Sequence, residues 1–245
     1  MNLSGNHHQG RLSDLLIDVA HMPQVREEVR KSASIDLEAN QICDLEMLLA
    51  GAFAPLKGFM NREEYESVLR RQRLGDGSFW PLPLVLSVSA SIADGLDVGE
   101  SVVLRDGEGA MLALLTVNDI WEPDRELERS VDWTGGAGNM PGCRYIGGTL
   151  KGFRLPVHHD YPQLRETPGQ VRSKIGADEE TVVACDPVML QSDADQRRVS
   201  RLVQFSNARA IVAAMTGTAR DGDVRFHRDV QKLLVTLELF SPADA

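Results

Sequence analysis

Hydrophobic residues in the first part of the chain recur at the spacing of an α-helix. From Ser34 to Gly51 the recurring positions are Ile42, Leu45, Leu48 and Leu49. Residues three and four apart lie on one face of a helix, so this pattern predicts a helix with one buried side. Gly51 suits a left-handed cap, because glycine has no Cβ to oppose a positive φ. The first predicted helix therefore ends at this glycine.

A second helix is predicted from a start signal followed by a hydrophobic stripe. Asn61 is a favoured N-cap residue, and Glu63 and Glu64 place two carboxylates in the first turn, where the helix dipole favours negative charge. The hydrophobic positions that follow at helical spacing are Tyr65, Val68 and Leu69. This helix is expected to run to about Arg71.

After Pro83 the pattern changes to short runs that are typical of β-strands. The runs are Leu84 to Val88, Ser101 to Leu104 and Met111 to Val117. The segments between them, Asp94-Gly95 and Asp106-Gly107-Glu108-Gly109, are turn sequences that suit antiparallel strands. The central part of the chain therefore predicts a small barrel or a folded sheet.

The last third of the chain predicts a βαβ unit behind a linker. His158 to Pro168 holds paired histidines, two prolines and a polar run, so we place a domain boundary near Val157. The elements predicted beyond it are a strand from Thr181 to Cys185, a helix from Asp193 to Asn207, a strand from Ala210 to Met215 and a helix from Arg225 to Phe240. Because a helical crossover joins parallel strands, the two strands should be parallel.

The composition restricts the partners and the compartment. The net charge of −10 opposes a phosphate backbone, so we expect no nucleic acid partner. The longest apolar stretches fall far short of the roughly 20 residues that cross a bilayer, so we expect no membrane partner. The N-terminus, Met1 to His8, has neither the basic start nor the apolar run of a secretory signal. These features predict a cytoplasmic protein.

Several segments could suggest ligands but have a simpler interpretation. Cys43, Cys143 and Cys185 stand far apart without metal-ligand spacing, and His158 and His159 beside Asp160 lack a third ligand, so no metal is expected. The glycine-rich run at 134–142 favours a surface loop, because no strand leads into it and no amphipathic helix follows. Lys57 could bind an anion, but a turn that docks Phe59 explains its segment, and we favour the structural role.

Four segments make the chain similar to a known family. They are Gln41 to Glu63, with its Pro55-Leu56-Lys57-Gly58-Phe59-Met60 run, Leu74 to Pro83, Leu104 to Asp106, and Leu115 to Asp124. Together they resemble the N-terminal domain of the ATP sulfurylases (sulfate adenylyltransferases), and the resemblance covers about residues 34 to 240. It implies a mixed α/β and β fold. Residues 1–157 would form a PUA-like β-barrel domain with helices, and residues 158–245 a small truncated Rossmann-like βαβ nucleotidyltransferase domain.

The resemblance also implies where the family's ligands would bind. Family members have a Gln-x-Arg-Asn-Pro-x-His-x-x-His run after the first catalytic-domain strand and a histidine on the second. In register, these positions and the retained turn after the second strand form a vestigial ligand pocket of Asp186, Val188, Met189, Ser192, Asp195, Ala213, Gly217 and Asp223. Carboxylates and apolar groups would thus face two anionic substrates, which opposes both binding and catalysis. A later family segment that completes the sulfate pocket has no counterpart within these residues.

These features lead to one leading hypothesis and two alternatives. The leading one is a catalytically inactive, sulfurylase-like module without catalytic residues, metal or cofactor, which acts as a homo-oligomer or with a fused or associated adenylylsulfate kinase. The first alternative is an active, divergent sulfate adenylyltransferase that uses ATP and magnesium. The second is an RNA-binding module of the PUA class, which the acidic charge opposes.

Overall fold

The protein is described here from a computed structural model. The described residues are 15–18, 22–131, 133, 142–158, 167–170, 182–185 and 209–212, together with 194, 197, 198, 200, 201 and 204. The chain divides into two compact units, Ser13–Val157 and Met1–Leu12 with His158–Ala245.

The larger unit contains five helices and six strands among its described residues. The helices are α1 (Met22–Lys31), α2 (Ala39–Leu49), α3 (Arg62–Arg71), α4 (Ala90–Ala93) and α5 (Arg125–Ser130). The strands are β1 (Ala33–Asp36), β2 (Gly58–Phe59), β3 (Leu86–Ser89), β4 (Ser101–Arg105), β5 (Met111–Trp121) and β6 (Cys143–Gly152).

The six strands form one mixed sheet in the order β1-β4-β5-β6-β2, and β3 also pairs with β6. The β1–β4 pair is parallel and the other pairs are antiparallel. No described strand joins β1 to β2, so the sheet is open at these two ends. The mixed α/β and β fold class is confirmed.

The predicted first helix is correct at its end and wrong at its start. Residues 33–36 form strand β1 instead of helix, and α2 begins only at Ala39. Ile35 in β1 is 3% exposed and pairs with Leu104, so burial against β4 outweighs the local helical spacing. Glu38 and Gln41 then form a capping box that fixes the helix start. At the other end, Gly51 has φ +75°, as predicted for a left-handed cap.

The predicted second helix is confirmed at both ends. Asn61 is its N-cap and accepts a hydrogen bond from the backbone N–H of Glu64 at 2.9 Å, while the Glu64 carboxylate accepts one from the N–H of Asn61 at 3.1 Å. The helix ends at Arg71, and Gln72 turns the chain with φ +52°. Tyr65, Val68 and Leu69 are buried, as the stripe predicted.

The strand predictions are partly confirmed. The 101–105 and 111–121 strands pair antiparallel as expected, and β5 runs on to Trp121. Strand β3 begins at Leu86 rather than Leu84, and the short helix α4 precedes the Asp94-Gly95 turn. Strand β6 was not predicted, because its glycines interrupt the hydrophobic alternation.

Helix α1 covers one face of the sheet. Val25 of this helix forms a hydrophobic cluster with Val103 and Leu114 of the sheet, and Ile17, Val29 and Phe153 pack against this cluster. Glu28 of the same helix accepts a hydrogen bond from the Ser101 hydroxyl at 2.6 Å and lies 3.5 Å from the Lys151 ammonium. These polar contacts of Glu28 thus help to position the helix, whose hydrophobic residues pack against the sheet.

The smaller unit contains the parallel strand pair that the βαβ pattern predicted. Strands β7 (Val182–Cys185) and β8 (Arg209–Val212) pair parallel, with Val182 opposite Arg209. The described residues between them, 194, 197, 198, 200, 201 and 204, are helical. The last predicted helix, Arg225 to Phe240, lies outside the described residues, as do residues 134–141 of the glycine-rich run.

Candidate functional site

The ligand pocket predicted from the sequence lies outside the described residues. Its members are Asp186, Val188, Met189, Ser192, Asp195, Ala213, Gly217 and Asp223. It therefore stays a prediction. The same holds for His159 and Asp160 of the paired-histidine segment.

Within the larger unit, an open cleft of about 380 Å³ lies beside strand β2. Four segments contribute to it: residues 55–59 with Asn61 and Glu64, the turn at 74–76, Asn118 of strand β5, and Gly148 with Thr149 of strand β6. Its polar lining residues are Lys57, Asn61, Glu64, Asp76, Asn118 and Thr149. A concave site with several convergent polar groups is the usual form of a small-molecule site.

The floor of the cleft depends on closely packed backbones. Leu150 donates its N–H to the carbonyl oxygen of Lys57 at 2.9 Å, which joins β2 to β6. A Cβ on Gly58 would lie 2.0 Å from the carbonyl oxygen of Gly148, so only glycine allows this approach. Phe59 is 3% exposed and anchors β2 in the core, as the sequence predicted. The Lys57 side chain, in contrast, is exposed at the cleft.

A β-bulge places Asn118 at the cleft. The register of β5 against β6 shifts between Val117 and Asp119, so Asn118 is the extra residue of the strand. Such bulges redirect a side chain and are frequent beside functional sites. Asp119 accepts a hydrogen bond from the backbone N–H of Arg62 at 3.0 Å and so ties the bulge to the start of α3. Sequence reasoning missed Asn118, because a bulge requires knowledge of the opposite strand.

Two carboxylates also line the cleft, and hydrogen bonds position both. Glu64 belongs to the capping box of α3 and uses its Oε2 atom there. The Asp76 Oδ1 atom accepts hydrogen bonds from the Ser78 N–H at 2.9 Å and the Ser78 hydroxyl at 2.6 Å. With Lys57 as the cation, the lining presents separate positive and negative positions.

A second polar cluster lies around Tyr65 of α3 and is buried. Glu128 of α5 is 4% exposed, and its Oε1 atom accepts hydrogen bonds from the hydroxyls of Tyr65 at 2.9 Å and Tyr145 at 2.8 Å. Arg125 donates to Glu128 Oε2 at 3.0 Å and to Cys143 Sγ at 2.8 Å. Trp121 and Trp133 pack edge-on against the tyrosines. The carboxylate is thus fully enclosed, which assigns this cluster to structure.

Burial changes the acidity of this cluster. Desolvation, followed by the Glu128 charge, raises the pKa of Tyr65 far above its ordinary value. Burial also raises the pKa of the Cys143 thiol, although Arg125 opposes the shift. A buried thiol with a raised pKa is a poor nucleophile, which favours a structural role for Cys143.

Stability is expected to fall as the pH rises above about 10. An unfolded tyrosine ionises near pH 10, whereas folded Tyr65 keeps its proton, so ionisation lowers the free energy of the unfolded state but not that of the folded state. Urea unfolding at several values between about pH 8 and pH 11 measures this slope. Tyr65→Phe removes the titrating hydroxyl and should flatten the slope. An unchanged slope in Tyr65→Phe would show that other groups cause the alkaline loss.

Among the described residues, no three His, Cys, Asp or Glu side chains form a group that could hold a metal ion. No described helix is long and apolar enough to span a membrane.

Residues 5–153 match the family model of the PUA-like domain. Sulfate adenylyltransferases are similar over most of the chain: that of Kluyveromyces lactis is 33% identical over 236 residues, and that of Saccharomyces cerevisiae is 30% identical. Each alignment covers 91% of this chain, and 47% and 46% of the relative. The chain thus spans about half the length of these relatives.

A solved structure has the same fold. It is described as a hexameric APS kinase from Thiobacillus denitrificans, and it superposes with a TM-score of 0.61 at 24% sequence identity over 94% of this chain and 50% of that one. The open mixed sheet, the match over residues 5–153 and the alignments to sulfate adenylyltransferases agree with one another. The chain belongs to the PUA-like domain family and is a homologue of the sulfate adenylyltransferases.

Proposed function

We propose that this chain is a sulfate adenylyltransferase-like protein of sulfate activation that is catalytically inactive and serves as a structural or regulatory module. The observation that carries the link to sulfate activation is the alignment to sulfate adenylyltransferases over 91% of the chain. That alignment extends well beyond residues 5–153 of the PUA-like domain, so it includes most of the predicted truncated catalytic domain, 158–245.

The residue types in the predicted pocket support the inactivity. The family reaction brings sulfate to the α-phosphorus of ATP, and negative charge builds up on the phosphate oxygens. Val188 and Met189 offer neither charge nor a side-chain N–H donor where family members have Arg and Asn, and Asp186 and Asp195 add carboxylates. The loss of one such donor reduces the rate by about a hundredfold to a thousandfold. Several of these donors are replaced in this chain.

Pyrophosphate release tests the proposal directly. With saturating ATP, sulfate and magnesium, the chain should release pyrophosphate no faster than a control without protein. The sulfate adenylyltransferase of Saccharomyces cerevisiae, assayed in parallel, shows that the assay detects turnover. A rate of about 1 per second or more would place this chain among active enzymes and would favour the alternative, a divergent sulfate adenylyltransferase.

An inactive module acts through a partner. We infer either a homo-oligomer or an association with an adenylylsulfate kinase, fused or separate, in the cytoplasm. The description of the solved structure as a hexameric APS kinase motivates this inference. Light scattering of the chain alone and after mixing with such a kinase measures both possibilities. A monomer that stays monomeric in the mixture would contradict them.

A further inference from the structure

The cleft beside β2 contains side chains that the fold does not use. Among the described residues, Lys57, Asn118 and Thr149 have no side-chain hydrogen-bond or ion-pair partner, and all three line this one cleft. They supply an ammonium, a carboxamide and a hydroxyl. A group of such donors suits an oxygen anion of the ligand. An amide that a β-bulge places there adds to this evidence.

The charges in the cleft select the kind of anion. Among the described lining residues, Glu64 and Asp76 share this space with Lys57, so a phosphate or a sulfate with two negative charges would face two carboxylates and one cation there. A singly charged carboxylate avoids most of this repulsion. The Glu64 Oε1 atom accepts no hydrogen bond from a described group, so it can accept one from a positively charged group of the ligand. The cleft therefore favours a ligand with both a carboxylate and an ammonium.

The apolar part of the lining limits the rest of the ligand. Leu56, Phe59 and Leu74 contribute apolar surface to the cleft. Gly58 and Gly148 leave its floor without side chains. The volume of about 380 Å³ is near the lower end of small-molecule sites, about 300–1,000 Å³. A small apolar side chain fits this surface better than a long charged one.

We propose that the cleft binds a free α-amino acid with a small apolar side chain. Lys57, with Asn118 and Thr149, binds the carboxylate, Glu64 and Asp76 receive the ammonium, and the leucine and phenylalanine side chains contact the aliphatic group. This site is independent of the proposed loss of catalysis, because none of its residues belongs to the predicted pocket.

Titration calorimetry of the full chain with L-valine tests the proposal. Isovalerate, which lacks the ammonium, and isobutylamine, which lacks the carboxylate, are the two matched partial ligands. L-valine should bind with one-to-one stoichiometry, and both partial ligands should bind at least about fivefold more weakly. Equal binding of isovalerate, competition by inorganic sulfate, or no saturable heat with L-valine would each overturn the proposal.

Conservative variants assign the two charges separately. Lys57→Met should weaken L-valine binding by about fivefold or more, whereas Lys31→Met, which alters a surface pair with Glu27, should not. Glu64→Gln keeps an oxygen for the N–H of Asn61 and removes the charge. In Glu64→Gln, isovalerate should bind as well as L-valine or better. Circular dichroism confirms that each variant is folded, and unchanged affinities in folded Lys57→Met and Glu64→Gln would overturn the assignment.

Discussion

Gly148→Ala is expected to destabilise the larger unit more than any exposed substitution. A Cβ at this position would lie 2.2 Å from the carbonyl oxygen of Thr116 and 2.9 Å from a Leu115 methyl group. Because the contact is with backbone in the centre of the sheet, β5 and β6 would have to separate. The expected cost is about 3 kcal/mol or more in the free energy of unfolding, and thermal melting should show a fall of about 10 °C in Tm.

Gly107→Ala is the matched control for this experiment. Gly107 lies in the exposed turn between β4 and β5, and a Cβ there would meet nothing within 4 Å. Its Tm should stay within about 2 °C of that of the unmodified chain. If both variants have the same Tm, the strands at Gly148 can separate without loss of stability, which would contradict the close packing of β2, β5 and β6.

Glu128→Ala is expected to lower the free energy of unfolding by a similar amount, for a different reason. The substitution leaves the hydroxyls of Tyr65 and Tyr145 without their acceptor and removes the carboxylate that pairs with Arg125. A buried polar group that loses its partner costs about 1–3 kcal/mol, and the lost ion pair adds less, because the Arg125 side chain is 34% exposed. Urea unfolding followed by tryptophan fluorescence measures the change, since Trp121 and Trp133 adjoin the cluster.

Glu126→Ala separates this effect from the loss of helix α5 itself. Glu126 lies in the same helix and is exposed, so its loss should change the free energy of unfolding by no more than about 0.5 kcal/mol. Glu128→Leu adds a further comparison, because it fills the space without a charge. A small effect of Glu128→Ala would mean that water replaces the carboxylate in the cluster.

The sequence predicted the elements whose signals are local. A few neighbouring residues are enough to predict the capping box of Asn61 and Glu64 and the left-handed cap at Gly51. The structure has both. Strand β1 was mistaken for helix because its burial depends on β4, about seventy positions later in the chain. Strand β6 was missed because its glycines are required by neighbouring backbones, which a single stretch of sequence does not reveal.

The cleft was only partly predictable for the same reason. The sequence identifies Lys57 as a residue that could bind an anion, and its side chain does line the cleft. Its backbone also has a structural role, because its carbonyl oxygen accepts a hydrogen bond from the N–H of Leu150. Asn118 and Thr149 join it through a bulge in β5 and through the pairing of β2 with β6, both of which depend on contacts across the sheet. The vestigial pocket around Asp186 and Ala213 stays a prediction.

Strand β6 has a consequence for how the protein is made. It is the last strand of the larger unit, yet it pairs with β2, β3 and β5, and among the described strands β2 and β3 pair with nothing else. During synthesis, the hairpin of β4 and β5 can form as it leaves the ribosome, but β2 and β3 remain without partners until residues 143–152 emerge. Their hydrophobic residues are exposed for that interval, when chaperones can bind them.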